Sequence, residues 1–143
     1  MKVLYDTSVL VAAVVAAHPQ HKAARPWLEK AHTGQVDGVV CQHSIAELYA
    51  VLTTLPVTPR MSARVVRDLI ADLLRAVTPV ALKPRDYVDV VDELAQAKIA
   101  GGVVYDALVA RAARGSKASK LLTLNVRDFL RVWPDGARRI PAP

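Results

Sequence analysis

Short apolar runs alternate with stretches of helical spacing along this chain, and that alternation leaves few folds open. Lys2–Tyr5, Val36–Cys41 and Leu121–Thr123 read as strands, with Pro79–Leu82 and Arg139–Ile140 as shorter candidates. Helical patterns fall between them: about 9–17, Pro19 to about Ala31 with a bend or split at Pro26, Ile45–Leu55, and Arg60–Val77. Pro84 to about Lys98, Tyr105–Arg114 and a short stretch to Val132 complete the series. Strands alternating with helices predict an α/β fold, a mainly parallel sheet covered on both faces in three α/β/α layers. Such sheets bind ligands outside the carboxyl ends of their strands, so polar residues just after a strand are the first candidates for a site.

The chain has 143 residues, enough for a single domain over 1–143 with a real core. Hydrophobic residues make up 52%, which excludes general disorder, and Cys41 is the only cysteine, which excludes a disulfide scaffold and fits a cytoplasmic protein. The longest apolar run, Val9–Ala17, is too short for a membrane span. The net charge of +6 is unevenly placed. Residues 1–109 are balanced, whereas 110–143 hold Arg111, Arg114, Lys117, Lys120, Arg127, Arg131, Arg138 and Arg139 against Asp128 and Asp135. A basic final quarter attracts polyanions, RNA and DNA first among them, or acidic protein partners.

Acidic and amide side chains recur where a parallel sheet would gather them. Asp6 directly follows the first strand, Glu47 opens the helix after the second, Asp106 starts a helix after Gly101-Gly102, and Asn125 and Asp128 follow Leu121–Thr123. Together they would make a hard-cation site, since Mg²⁺ and Mn²⁺ prefer carboxylate and water oxygens. A divalent ion lowers the pKa of bound water and neutralises charge building on a phosphoryl oxygen. Each residue also has an ordinary structural role: Asp6 as a helix cap, Ser44 with Glu47 as a capping box, Asp106 as a partner of the helix dipole, Asn125 with Asp128 as another cap pattern. The apolar neighbours of Asp106 (Val103, Val104, Tyr105, Ala107) weaken that explanation.

Other chemistries lack support. The histidines show no zinc spacing, and His18 and His21 read as exposed at a helix start. No nucleophile elbow, P-loop or dinucleotide fingerprint occurs, and Cys41 reads as core packing. Aromatic residues are only 5%, too few for an extended base-stacking platform.

Taken in order, Asp6-Thr7-Ser8-Val9-Leu10, Glu47 in Ser-x-x-Glu-Leu, Tyr105-Asp106-Ala107-Leu108 and Leu122-Thr123-Leu124-Asn125-x-x-Asp128-Phe129 resemble the PIN-domain family, and within it the VapC-type toxins of bacterial and archaeal toxin–antitoxin pairs. The resemblance implies a Mg²⁺- or Mn²⁺-dependent endoribonuclease that leaves a 5′-phosphate and a 3′-hydroxyl. Asp6, Glu47 and Asp106 match the family's metal-binding acids, and Asn125 stands where many members carry a fourth acid. Ser8, Thr123 and Asp128 could orient carboxylates or waters around the ion. Arg111, Arg114, Lys117 and Arg127 are candidates to hold RNA phosphates, or form a solvated basic face. The resemblance further implies a homodimer and a cognate VapB-type antitoxin, for which the apolar stripe Val65–Leu74 is either a partner surface or core. Two alternatives stay open: a catalytically weak PIN-like module that binds RNA or protein, and a DNA nuclease of the flap-endonuclease type.

Overall fold

A computed structural model describes residues 1–143. Four strands, β1 (Lys2–Tyr5), β2 (Asp37–Cys41), β3 (Val77–Val80) and β4 (Lys120–Leu122), form one sheet in the order β3-β2-β1-β4, every pair parallel. Seven α-helices connect and cover them: α1 (Thr7–Val14), α2 (His21–His32), α3 (Gln42–Thr54), α4 (Ala63–Ala76), α5 (Pro84–Gln96), α6 (Val103–Gly115) and α7 (Val126–Val132).

Strand alternation sorts the side chains into two cores. Val3, Tyr5, Val40 and Leu122 pack on one face with α1, α2, α3 and α4. Leu4, Val39, Cys41 and Leu121 pack on the other with α6, Phe129, Trp133 and Ile140. The three expected layers follow from this period of two in the strands. Tyr5 lies fully buried among apolar groups, which pushes its phenol up to about 12, and its hydroxyl donates to Trp27 O at 2.7 Å. The stripe on α4 is mostly core: Val66, Ile70 and Leu73 are buried, whereas Val65 stays 48% exposed.

Two local expectations fail. Pro26 does not split α2, which runs unbroken from His21 to His32 with Ala24, Leu28 and Ala31 holding one face in the core. Packing outweighs the local preference there. Arg139–Ile140 is not a strand. The segment Pro134–Arg139 is a 3-10 helix, whose Gly136 N–H donates to Trp133 O, and Ile140 is anchored by its buried side chain rather than by a ladder. The third strand also sits slightly earlier than its apolar run suggests, at Val77–Val80.

α5 is attached differently from the other long helices. It buries only Val90, against Ala107 and Leu108 of α6. Beside that small contact, Arg111 of α6 faces three α5 acids: Asp86 at 3.7 Å, Asp89 at 3.5 Å and Glu93 at 3.3 Å.

Gly38 shows how closely α2 and β3 approach β2. A Cβ there would lie 2.9 Å from Val77 Cγ1, 3.0 Å from Ala31 Cβ and 3.2 Å from Ala76 O. Overpacking of this kind costs about 1–3 kcal/mol. Gly38→Ala should therefore lower the free energy of urea unfolding by that amount, and an unchanged midpoint would refute the close approach.

Candidate active site

The sheet changes winding direction between β1 and β4, because β1 continues to β2 and β3 on one side while the chain returns to β4 on the other. Crevices form at such switch points. Here Asp6, Thr7, Ser8, Val11, His18, Glu47, Val51, Asp106, Leu124 and Asn125 line a cavity of about 360 Å³. Larger cavities lie between α3 and α4, about 640 Å³, and beside Arg111, about 570 Å³, but neither gathers the acids.

Asp6 is buried at the C-terminal end of β1, and its backbone N–H donates to Leu122 O of β4 at 3.0 Å. It is the N-cap of α1 by position, yet its side chain makes no cap bond. Its Oδ2 instead accepts from Ser8 Oγ at 2.6 Å and from Thr123 Oγ1 at 2.9 Å. Both hydroxyls in turn accept from backbone amides of the loop after β4: Leu124 N donates to Ser8 Oγ at 3.0 Å, and Asn125 N to Thr123 Oγ1 at 2.9 Å. Each hydroxyl has a single proton. With both protons on Asp6, the 3.4 Å Ser8–Thr123 contact carries none, and Oδ1 remains for the cavity.

Glu47 comes from α3, which starts at the end of β2. The capping-box explanation fails, because Cys41 is the N-cap and Ser44 lies inside the helix with its buried Oγ unpartnered. Glu47 is half-buried, and its carboxyl is raised first by burial and then by the charge of Asp6, against weaker help from His43 and Thr7. Thr7 Oγ1 lies near Glu47 but outside hydrogen-bond geometry, buried without a partner. Asp106, in the first turn of α6, is pushed up to about 7 by burial and by the charges of Asp6, Asp128 and Glu47. Asn125 is exposed at the N-cap of α7 and makes no side-chain cap bond.

As the side chains stand, no three His, Cys, Asp or Glu groups are drawn close enough to grip one ion. The donor set nevertheless fits a hard divalent cation: desolvated carboxylates raise one another's pKa, a cation would relieve them, and the unpartnered Thr7 oxygen borders the same space.

The basic candidates do not gather here. Arg111 faces the α5 acids, and its buried Nε lacks a hydrogen-bond partner. Arg114 lies over Trp133, 5.7 Å from a ring centroid. Eight residues along α6 from Asp106, it is about 12 Å further on. Lys117 is exposed in the turn beyond. Arg127 is exposed two residues after Asn125. Sequence reasoning missed His18, which lines the cavity instead of lying exposed. Its Nδ1 accepts from Gln20 N at 3.0 Å, so a neutral ring carries its proton on Nε2. His21 Nδ1 contacts Ala12 O at 2.9 Å. Both placements depend on how the α1–α2 turn folds back, which spacing alone does not give. Cys41 is buried, and burial pushes its thiol up, consistent with packing.

The family model for the PIN domain matches residues 3–132, and the chain belongs to the PIN-domain family. Within that class it is similar to Ribonuclease VapC27 of Mycobacterium tuberculosis (strain ATCC 25618 / H37Rv), with 38% identity over 122 residues, covering 85% of this chain and 83% of that protein. It is 37% identical over 123 residues to Ribonuclease VapC40 of the same species (strain CDC 1551 / Oshkosh), covering 85% of each. The fold is shared with VapBC2 from Rickettsia felis bound to a DNA fragment from its promoter: TM-score 0.71 at 18% identity, over 100% of this chain and 99% of that one. It is shared too with VapBC-1 from nontypeable Haemophilus influenzae: TM-score 0.66 at 17% identity, over 99% and 98%.

The raised carboxyl of Asp106 has a measurable consequence. Because its folded value lies above the ordinary 3.8, the folded chain binds that proton more tightly, and the stability so gained is complete below about pH 4 and lost as the pH rises through 7. Without divalent ions, the thermal midpoint of the unmodified chain should fall more steeply between pH 5 and 7.5 than that of Asp106→Asn. Mg²⁺ at pH 7.5 should then raise the unmodified chain's midpoint more. Parallel pH profiles would contradict the raised carboxyl.

Proposed function

We propose that this chain is a toxin endoribonuclease, hydrolysing RNA phosphodiester bonds with Mg²⁺ or Mn²⁺ held by Asp6, Glu47 and Asp106. The observation that carries the reading is the convergence of these acids at the β1–β4 crevice, with Asp6 clamped by two hydroxyls and Asp106 pushed up to about 7. The ribonuclease names of the M. tuberculosis relatives support the choice of reaction.

With the ion bound, the site gains hydroxide near neutral pH and positive charge against the phosphoryl oxygens. The chain's own residues supply position. Asp6 presents Oδ1 in a fixed direction because Ser8 and Thr123 hold Oδ2. Asn125 offers a neutral amide, able to coordinate through oxygen or donate to a phosphate through nitrogen. Asp128 adds negative charge near Asp106, which would favour a cation at the acidic site. His18 Nε2–H is a further donor bordering the cavity. Arg127 is the candidate cation nearest to Asn125 in sequence. Cleavage by in-line attack would leave a 5′-phosphate and a 3′-hydroxyl.

The VapBC pairs that share the fold support a VapB-type antitoxin as partner; the homodimer is proposed on the family resemblance alone. The apolar groove of Ile45, Ala46, Tyr49 and Ile70 between α3 and α4, with Val65 exposed nearby in sequence, is the surface we assign to the antitoxin. No helix is long and apolar enough to cross a membrane. Asn125 keeps a second reading in view, a weakly catalytic RNA-binding module, because an amide adds no charge to hold a second ion.

The purified chain should cleave single-stranded RNA with Mg²⁺ or Mn²⁺, and EDTA should stop it. Asp6→Asn and Asp106→Asn should abolish cleavage with circular dichroism unchanged, and full activity in either would sink the assignment. Ser8→Ala and Thr123→Val should each cost about 10–100-fold in metal affinity or activity, as loss of a ligand's hydrogen-bond support commonly does. RNA binding without cleavage under any divalent ion would favour the module.

A further inference from the structure

Beside the acidic site, and sharing Glu47 with it, lies an aromatic pair that phosphodiester chemistry does not require. His43, in the first turn of α3, and Tyr105, in the first turn of α6, stack with ring centroids 5.0 Å apart and planes 6° from parallel. The two helices cover opposite faces of the sheet, so the stack bridges the outer layers above the strand ends. Parallel planes at this separation are offset-stacked, the arrangement that aromatic rings favour.

The pair is joined to the acidic site on both sides. His43 lies one helical turn before Glu47, with Nε2 3.9 Å from Glu47 Oε2, and Tyr105 immediately precedes Asp106. With Ala46 and Glu47 the two rings line a cavity of about 460 Å³, and Glu47 also lines the acidic cavity. One carboxylate is thus a wall of both spaces. Tyr105 stays 50% exposed although its ring is already ordered by the stack. A low aromatic content excludes a long platform, but a single preformed pair suffices for one base. Single-stranded RNA is held through such stacking, which tolerates sequence because every base has a π-face.

We propose that His43 and Tyr105 form a shelf for one unpaired nucleobase of the RNA, next to the phosphate held over Asp6, Glu47 and Asp106. The inference rests on the ribonuclease reading and adds the positioning of substrate. The shelf sets which phosphate enters the acidic cavity, and it selects RNA whose bases are free, because a base inside a duplex is already stacked on both faces.

The test walks a single abasic nucleotide through a short single-stranded RNA and measures KM and kcat with Mg²⁺. At one position, at a fixed offset from the cut, loss of the base should raise KM on the order of tenfold for the unmodified chain and for Tyr105→Phe. Tyr105→Leu should raise KM similarly on intact RNA, and the abasic nucleotide should then add nothing. His43→Ala, a second variant, should weaken the same position. An abasic scan with no sensitive position overturns the shelf alone. So does additivity between the abasic nucleotide and Tyr105→Leu. Unchanged KM in Tyr105→Leu with weakened binding of a partner protein assigns the pair to a protein interface and also overturns the shelf. Failure of the unmodified chain to cleave any RNA overturns the ribonuclease reading and the shelf together.

Discussion

Two backbone amides fix the direction of the hydrogen bonds beneath Asp6, and the site is built outward from them. Leu124 N and Asn125 N each donate to a hydroxyl, which leaves Ser8 and Thr123 one proton apiece for Asp6 Oδ2. The network ties the end of β1, the first turn of α1 and the loop after β4 into one unit. It acts where β1 and β4 pair in parallel, so the carboxylate is aimed by the sheet rather than by a mobile loop. Glu47 and Asp106 then arrive on helices from opposite layers, each raised by burial and by the acids it meets. The cost of bringing such groups together is what a bound cation would offset.

Most of the fold was legible because its signals are local. β1, β2 and the amphipathic helices follow from apolar spacing, and Asp6, Glu47 and Asp106 stand out as polar residues just after strands or at helix starts. Where prediction failed, distant contacts decided the outcome. Pro26 is tolerated because α2 is held along its buried face, and Ile140 is anchored by its side chain without becoming a strand. The capping motif Ser44–Glu47 was a false local signal: α3 begins three residues earlier, at Gln42, straight from β2. His18 in the cavity and the His43–Tyr105 stack depend on how separate elements meet, which spacing cannot encode.

The basic final quarter has a more divided role than its charge suggests. Arg111 is committed to α5, Arg114 lies over Trp133, and Lys120 lies 5.4 Å from the Trp27 ring. The charges left exposed, among them Arg127, Arg138 and Arg139, are a subset. Net charge counts all of these cations alike, whereas the fold places several against acids and aromatic rings.

The attachment of α5 makes the cohesion of the molecule uneven. The other long helices are held by buried apolar faces, which salt scarcely weakens, but α5 adds to one buried valine an ion cluster whose contacts, at 3.3–3.7 Å, are electrostatic rather than well-formed hydrogen bonds. Added salt should therefore weaken the attachment of α5 more than that of the other long helices. α5 is thus the long helix whose attachment leans most on charge, whereas the start of α6, with Asp106, is held by the buried alanine and valine face of its own helix.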